Sequence, residues 1–107
     1  MNHSVGLYEK AFPEAWSWSR KLSAAGEIGF DFLEISVDPT PKRLGRLAWS
    51  AARRNEVRRA IADSGVPIFN IVLSAHRSWP FGSRLASTRR QAREIAQKAV
   101  DLAASLN

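Results

Sequence analysis

The chain has 107 residues, of which 45% are hydrophobic, and this share is typical of a folded globular protein. Its length suits one domain covering residues 1–107, and no apolar run approaches the roughly 18 residues that would span a bilayer. Cysteine is absent, which excludes disulfides and thiolate metal sites. Because the N-terminus lacks a signal-peptide pattern, we expect a cytoplasmic protein with no membrane partner.

The net charge of +6 favours an anionic partner, and nucleic acid and sugar phosphate are the two candidates. Most basic residues fall in segments predicted to be helical, where a solvated helix face explains them. They cluster as Lys42, Arg43, Arg46, then Arg53, Arg54, Arg58, Arg59, then Arg84, Arg89, Arg90 and Arg93. The chain has no nucleic-acid motif and no interleaving of aromatic and basic side chains, so we do not expect nucleic acid as the partner.

The first third of the chain predicts a strand, a helix and a second strand. A short apolar run gives a strand over 5–8. Apolar residues at helical spacing then predict a helix over 14–28, which Gly29 can cap. Residues 32–37 have strong β-propensity, and the following DPTP segment cannot continue a sheet ladder.

The same alternation continues to the end of the chain. After a short helix around 43–47, Ser50 can begin a second long helix and Gly65 can end it. A third strand is predicted over 68–74, and the loop 75–83 leads into a third long helix. The apolar face of that helix consists of Ala92, Ile95, Ala96, Ala99, Leu102, Ala103 and Leu106.

The predicted order βαβαβα implies a parallel α/β sheet with right-handed crossovers. A doubly wound nucleotide-binding sheet would carry a glycine-rich turn after its first strand, but residues 8–12 contain no glycine. A (β/α)8 barrel remains, and a complete one needs about 250 residues. We therefore predict a partial TIM barrel made of the first three βα units.

Polar residues follow one face of strands two and three. Glu34 and Ser36 alternate with aliphatic residues, as do Asn70, Ser74 and, in phase, His76. We expect the strands to pair in parallel in the order one, two, three, with these polar side chains facing the barrel lumen. A buried Glu34 must be hydrogen-bonded or lie at an open mouth, and a satisfied core glutamate is the alternative.

Barrel enzymes place their sites at the C-terminal ends of the strands. The candidate residues there are Tyr8, Glu9, Ser36, Asp38, Ser74, His76 and Arg77. As a histidine, His76 can act as an acid, a base or a hydrogen-bonding group, while Arg77 can bind phosphate through its planar guanidinium. The two histidines, His3 and His76, form no metal motif, so we predict no metal ligands in this chain.

Five segments of the chain resemble the L-ribulose-5-phosphate (L-xylulose-5-phosphate) 3-epimerases, also described as hexulose-6-phosphate isomerases. They are 6–11 (GLYEKA), 29–38 (GFDFLEISVD), 43–50 (RLGRLAWS), 73–77 (LSAHR) and 80–83 (PFGS). The segments stand in the same order and at similar spacing as in that family. Together they cover nearly the whole chain.

The resemblance implies a xylose-isomerase-like barrel that moves a proton at C3 of a pentulose phosphate through an enediolate. In that family a divalent metal and two glutamates do this chemistry, and their ligand set comes from the second half of the barrel. The resemblance therefore implies no cofactor held by this chain. It does imply a wall of the substrate pocket, at Tyr8, Glu34, Ser36, Ser74, His76 and Arg77.

Three functional hypotheses remain open at this point. The chain is a truncated epimerase that is inactive alone, a non-catalytic remnant that forms oligomers, or a basic nucleic-acid-binding module, which is the weakest of the three. We also expect a homo-oligomer, because three strands cannot close a barrel and leave open sheet edges.

Overall fold

The computed structural model describes residues 3–107, and within them three strands alternate with helices. The strands are β1 Gly6–Tyr8, β2 Phe32–Ser36 and β3 Ile68–Val72. The α-helices are α1 Trp18–Ile28, α2 Pro41–Leu44, α3 Ala51–Ser64 and α4 Ala86–Leu106. Short 3-10 helices cover Glu9–Ala11, Gly45–Ala48 and Ser74–Arg77.

The strands form one parallel sheet in the order β1-β2-β3, which confirms the predicted order and direction. Glu34 at the centre of β2 lies opposite Tyr8 on one side and opposite Asn70 on the other. The register shifts between Leu33 and Glu34, so that Phe69 of β3 has no partner in β2. The Phe69 side chain is exposed and packs against the ring of Phe32, with 4.9 Å between the ring centroids.

The hydrophobic core lies between one face of the sheet and the helices. Leu33, Ile35 and Val37 alternate along the second strand segment, and all three are fully buried. They belong to one cluster with residues of α1, α3 and α4, including Leu22, Ala25, Val57, Ile95 and Leu102. The helices therefore cover this face, while the face that carries Glu34 and Asn70 is open.

Helices α1 and α3 have the caps predicted at Gly29, Ser50 and Gly65, with one helix start displaced. Ser50 caps α3 by accepting a hydrogen bond from Arg53 N, and Gly65 ends it at φ 71°. The predicted start of the first helix at residue 14 is wrong by four residues. Its cap is Ser17, whose side chain accepts a hydrogen bond from Arg20 N, so α1 begins at Trp18.

The third strand is shorter than predicted. It ends at Val72 rather than at residue 74, because Leu73 leaves the extended conformation at φ −91° and ψ 63°. The 3-10 helix Ser74–Arg77 begins immediately afterwards. Strand alternation therefore does not reach His76, whose predicted place on the polar face depended on it.

No helix within residues 3–107 is long and apolar enough to cross a membrane.

Candidate functional site

Two hydroxyl side chains meet at the carboxyl ends of the first two strands. Tyr8 is the last residue of β1 and Ser36 is the last residue of β2. The Tyr8 hydroxyl donates a hydrogen bond of 2.9 Å to Ser36 Oγ. Ser36 is fully buried, whereas the Tyr8 ring is half-buried, so the tyrosine covers the serine on the open face.

A second polar pair lies next to the first on the same face. The Asn70 amide donates a hydrogen bond of 2.7 Å from Nδ2 to Glu34 Oε2. Because Tyr8 is the register partner of Glu34, the two pairs are neighbours across β1, β2 and β3. We call Tyr8, Ser36, Glu34 and Asn70 the open-face cluster; it combines hydroxyl, carboxylate and amide groups that can hydrogen-bond a polyol.

Asp38 forms the rim of this cluster beyond the end of β2. It accepts hydrogen bonds from Lys10 Nζ at 2.8 Å and from Thr40 N at 2.9 Å, and a third from the Thr40 hydroxyl. Burial alone would raise the pKa of Asp38, but the bonds from Lys10 and Thr40 outweigh it and hold the pKa well below the usual value of 3.8. The bond to Asp38 raises the pKa of Lys10 above 10.5.

Glu9 anchors the strand ends from within the protein. Its carboxylate accepts a hydrogen bond of 2.8 Å from Ser36 N, and it pairs with Lys21 at 3.0 Å and with both Nη atoms of Arg46. Arg46 Nη1 also donates to the Ser36 carbonyl at 2.7 Å. Burial would raise the Glu9 pKa, but Arg46, Ser36 and Lys21 together lower it. The Glu9 side chain thus takes the place of a continued β1 ladder.

The three candidates after β3 are not gathered with the open-face cluster. His76 Nε2 lies 3.0 Å from the Ala92 carbonyl of α4, and its ring packs against Phe81 at 4.4 Å between centroids. Arg77 is exposed, and Ser74 Oγ is buried with no hydrogen-bond partner among residues 3–107. Roles in substrate binding for all six candidate residues stay predictions.

Sequence reasoning missed the basic partners of the buried carboxylates. Arg46 was predicted on a solvated helix face, and this is wrong because Arg46 is 4% exposed and paired with Glu9. Lys10 and Lys21 carried no signal, since their partners Asp38 and Glu9 lie 28 and 12 residues away. The one available signal was the position of Glu9 directly after an apolar strand. Such a position is buried in a parallel sheet, and a buried carboxylate needs a basic partner.

The described residues do not offer a metal centre. Within residues 3–107, no three side chains of the His, Cys, Asp or Glu type come together in a group that could hold a metal ion. The two carboxylates nearest the open-face cluster, Glu9 and Asp38, are engaged by Lys21, Arg46 and Lys10. We therefore assign no metal ligand to this part of the chain.

Sequence comparison shows relatives of this chain among bacterial proteins. SgbU of Escherichia coli (strain K12), provisionally named an L-ribulose-5-phosphate 3-epimerase, is 50% identical over 105 residues, which are 98% of this chain and 37% of that protein. The L-ribulose-5-phosphate 3-epimerase UlaE of Salmonella heidelberg (strain SL476) is 46% identical over 99 residues, covering 92% and 35%. The chain thus spans about a third of the length of these relatives.

A solved structure has the same fold. The crystal structure of D-psicose 3-epimerase in the presence of D-fructose superimposes with a TM-score of 0.75 at 17% identity, over 97% of this chain and 34% of that one. Residues 22–107 also match the family described as xylose isomerase-like TIM barrel. The predicted partial barrel and the predicted resemblance are both confirmed, and the chain belongs to the xylose isomerase-like TIM barrel family.

Proposed function

We propose that this chain forms the first three βα units of a sugar-phosphate 3-epimerase that acts on pentulose or hexulose phosphates. The observation that carries the proposal is the open-face cluster, in which Tyr8 and Ser36 stand at the carboxyl ends of their strands, where barrel enzymes bind substrate. The relatives named L-ribulose-5-phosphate 3-epimerases support the substrate class. We also propose a cytoplasmic location.

In this proposal the chain binds and orients the sugar phosphate. The Tyr8 hydroxyl already donates to Ser36, so its oxygen remains free to accept from a sugar hydroxyl, while the Glu34 carboxylate and Asn70 amide offer further acceptors and a donor. Ser74 Oγ, Arg77 and His76 would extend the wall on the β3 side. None of these three side chains hydrogen-bonds a residue of the cluster in the described part of the chain, so they are the weaker part of the proposed wall.

Proton transfer at C3 is assigned to groups outside this chain. Epimerisation removes a proton from one side of the carbon, returns it on the other, and needs stabilisation of the enediolate charge between the two steps. Asp38 is a poor base for this task, because the bonds from Lys10 and Thr40 hold its pKa far below neutrality. We therefore propose that the 107 residues alone are inactive in metal-assisted epimerisation.

A chimera tests this assignment. The chain replaces the matching third of the Salmonella heidelberg UlaE protein, to which it is 46% identical over 99 residues. We expect the chimera to convert L-ribulose 5-phosphate to L-xylulose 5-phosphate. A chimera that folds, as judged by circular dichroism and retained metal binding, but does not turn over this substrate while wild-type UlaE does, would contradict the proposal.

Self-association of this chain is a second part of the proposal. An apolar groove of about 540 Å³ runs between the outer edge of β3 and α4, and we call it the β3–α4 groove. Its exposed residues include Phe69, Phe81 and Val100, which are 70%, 53% and 68% exposed. Exposed apolar surface beside an unpaired strand edge favours association, and we propose a second copy of this chain as its occupant for the isolated 107 residues.

A further inference from the structure

We propose that a cavity between the beginnings of α1 and α3 binds a phosphate-type oxyanion. The cavity has a volume of about 190 Å³, roughly six times the 30 Å³ share of one water molecule in the liquid, so it accommodates a phosphate group. Its lining combines basic and indole side chains, and we call it the indole–cation pocket. The lining residues are Glu14, Ala15, Trp16, Ser17, Trp18, Lys21, Lys42, Arg46, Trp49 and Arg53.

The pocket has an excess of positive charge. Four of its side chains are basic, and Glu14 is the one acidic side chain in the lining. Lys21 and Arg46 are 2% and 4% exposed, and both are paired with the single carboxylate of Glu9. One buried positive charge is therefore not neutralised by that carboxylate. A bound anion would offset the cost of burying it.

Two further basic residues stand at the mouth of the pocket in weak ion pairs. Lys42 lies 3.7 Å from Glu14, and Arg53 lies 2.7 Å from Glu56. All four of these side chains are substantially exposed, and exposed pairs of this kind contribute little to stability. Lys42 and Arg53 can therefore turn to an entering anion at small cost.

Indole rings flank two of the cations that line the pocket. Lys21 Nζ lies 4.6 Å from the ring centre of Trp18, and the Arg53 guanidinium lies 5.5 Å from that of Trp49. Trp18 and Trp49 contact each other edge to face at 6.1 Å. A phosphate group in the pocket would thus meet preoriented donors, and arginine adds a planar fork that matches its oxygens. The N-terminus of α1 adds a favourable dipole.

The pocket is separate from the open-face cluster. Glu9 stands between them, since its carboxylate accepts from Ser36 N on one side and from Lys21 and Arg46 on the other. The inference therefore does not depend on the proposed epimerase function. The phosphate can come from a sugar phosphate or from a free inorganic anion, and both present the same oxyanion to the pocket.

Titration of the 107-residue chain with inorganic phosphate, at ionic strength held constant with chloride, tests this inference. The indole Nε1–H signals of Trp16, Trp18 and Trp49 in two-dimensional NMR report on the pocket, and that of Trp79 serves as an internal reference. Lys42 is exposed and the Arg53 side chain is 41% exposed, so both Lys42→Gln and Arg53→Gln should fold. The matched control is Arg58→Gln, an exposed arginine on α3 that does not line the pocket.

We expect phosphate to shift the three pocket indoles, and Lys42→Gln and Arg53→Gln each to weaken binding by about threefold while Arg58→Gln leaves it unchanged. L-ribulose 5-phosphate binding more tightly than phosphate at the same indoles would identify a sugar phosphate as the ligand; equal affinities would identify the free anion. Absence of indole shifts at millimolar phosphate, equal weakening by Arg58→Gln, or loss of binding only in Arg77→Gln would each overturn the proposal.

Discussion

Tyr8 donates its hydroxyl hydrogen to Ser36 Oγ over 2.9 Å and so joins the carboxyl ends of β1 and β2. If this pair contacts substrate, Tyr8→Phe and Ser36→Ala in the chimera should each lower kcat/KM about threefold to tenfold through loss of a neutral hydrogen bond. Steady-state kinetics with L-ribulose 5-phosphate measure the change. Ser23→Ala, at an exposed position on α1, is the control and should leave kcat/KM unchanged. If Ser23→Ala lowered kcat/KM as much as Tyr8→Phe or Ser36→Ala, the assignment of Tyr8 and Ser36 to the substrate site would be wrong.

Replacing Glu9 should strongly destabilise the chain. Glu9→Gln leaves Lys21 and Arg46 buried without a carboxylate, and an uncompensated buried charge costs about 3–5 kcal/mol. Urea denaturation followed by circular dichroism measures the loss, with the exposed Glu56→Gln as the control, expected to change stability by less than about 1 kcal/mol. The double variant Glu9→Gln/Arg46→Met should recover part of the stability, and a double variant no better than Glu9→Gln would contradict this account.

Acid should destabilise the fold through the two buried carboxylates. The pKa values of Glu9 and Asp38 lie below their ordinary values of 4.5 and 3.8, so the unfolded chain binds more protons than the folded one in acid. The contribution of these two carboxylates to folding stability is present at pH values above their ordinary pKa values. It is lost as the pH falls toward their pKa values in the folded chain. Urea midpoints should therefore be flat near neutrality and fall below about pH 4.

Asp38→Asn provides the test of this pH dependence. The variant should be less stable near neutrality and lose part of the acid dependence, because the titrating group is gone while Lys10 loses its charged partner. An Asp38→Asn chain with the same slope of stability against pH as the wild type would show that Asp38 does not contribute to it.

The Phe32 ring packs directly over Gly6 and leaves no room for a side chain there. A Cβ at this position would overlap the ring of Phe32, so Gly6→Ala must displace the aromatic ring at a cost of about 1–3 kcal/mol. The control is Gly82→Ala, where no atom lies within 4 Å of the added carbon. Thermal melts should show a lower Tm for Gly6→Ala and no change for Gly82→Ala. In a chain that already carries Phe32→Ala, adding Gly6→Ala should change the Tm very little.

Self-association through the β3–α4 groove predicts a position-specific effect of charge. Val100 lies in this groove, whereas the similarly exposed Ile28 lies at the end of α1. Val100→Lys should shift sedimentation-velocity profiles toward the monomer, and Ile28→Lys should not. A wild-type chain that sediments as a compact monomer at high micromolar concentration would contradict association.

The sheet could be predicted from the sequence because its signals are local. Alternation of Glu34 and Ser36 with Leu33 and Ile35 fixed which face of β2 is buried, and the caps at Ser50 and Gly65 fixed the ends of α3. These patterns depend on residues a few positions apart, which a single sequence displays directly.

The ion pairs around Glu9 and the placement of His76 could not be predicted in the same way. Glu9 and Arg46 are 37 residues apart, and their contact depends on how the 3-10 helix Gly45–Ala48 packs against the strand ends. His76 was placed by extending strand alternation beyond Val72, but the backbone turns at Leu73 and its ring joins α4 instead. Both outcomes are set by tertiary packing rather than by local sequence.

The most direct test of the central claim is an assay of the isolated 107-residue chain for conversion of L-ribulose 5-phosphate to L-xylulose 5-phosphate, with manganese, zinc or magnesium supplied. We expect no conversion above the metal-only control, because the proposed function assigns proton transfer at C3 to groups outside these residues, and residues 3–107 hold no group of side chains that could bind a metal ion. Conversion above that control, abolished by His76→Ala, would show that these residues form a complete enzyme and would contradict the account.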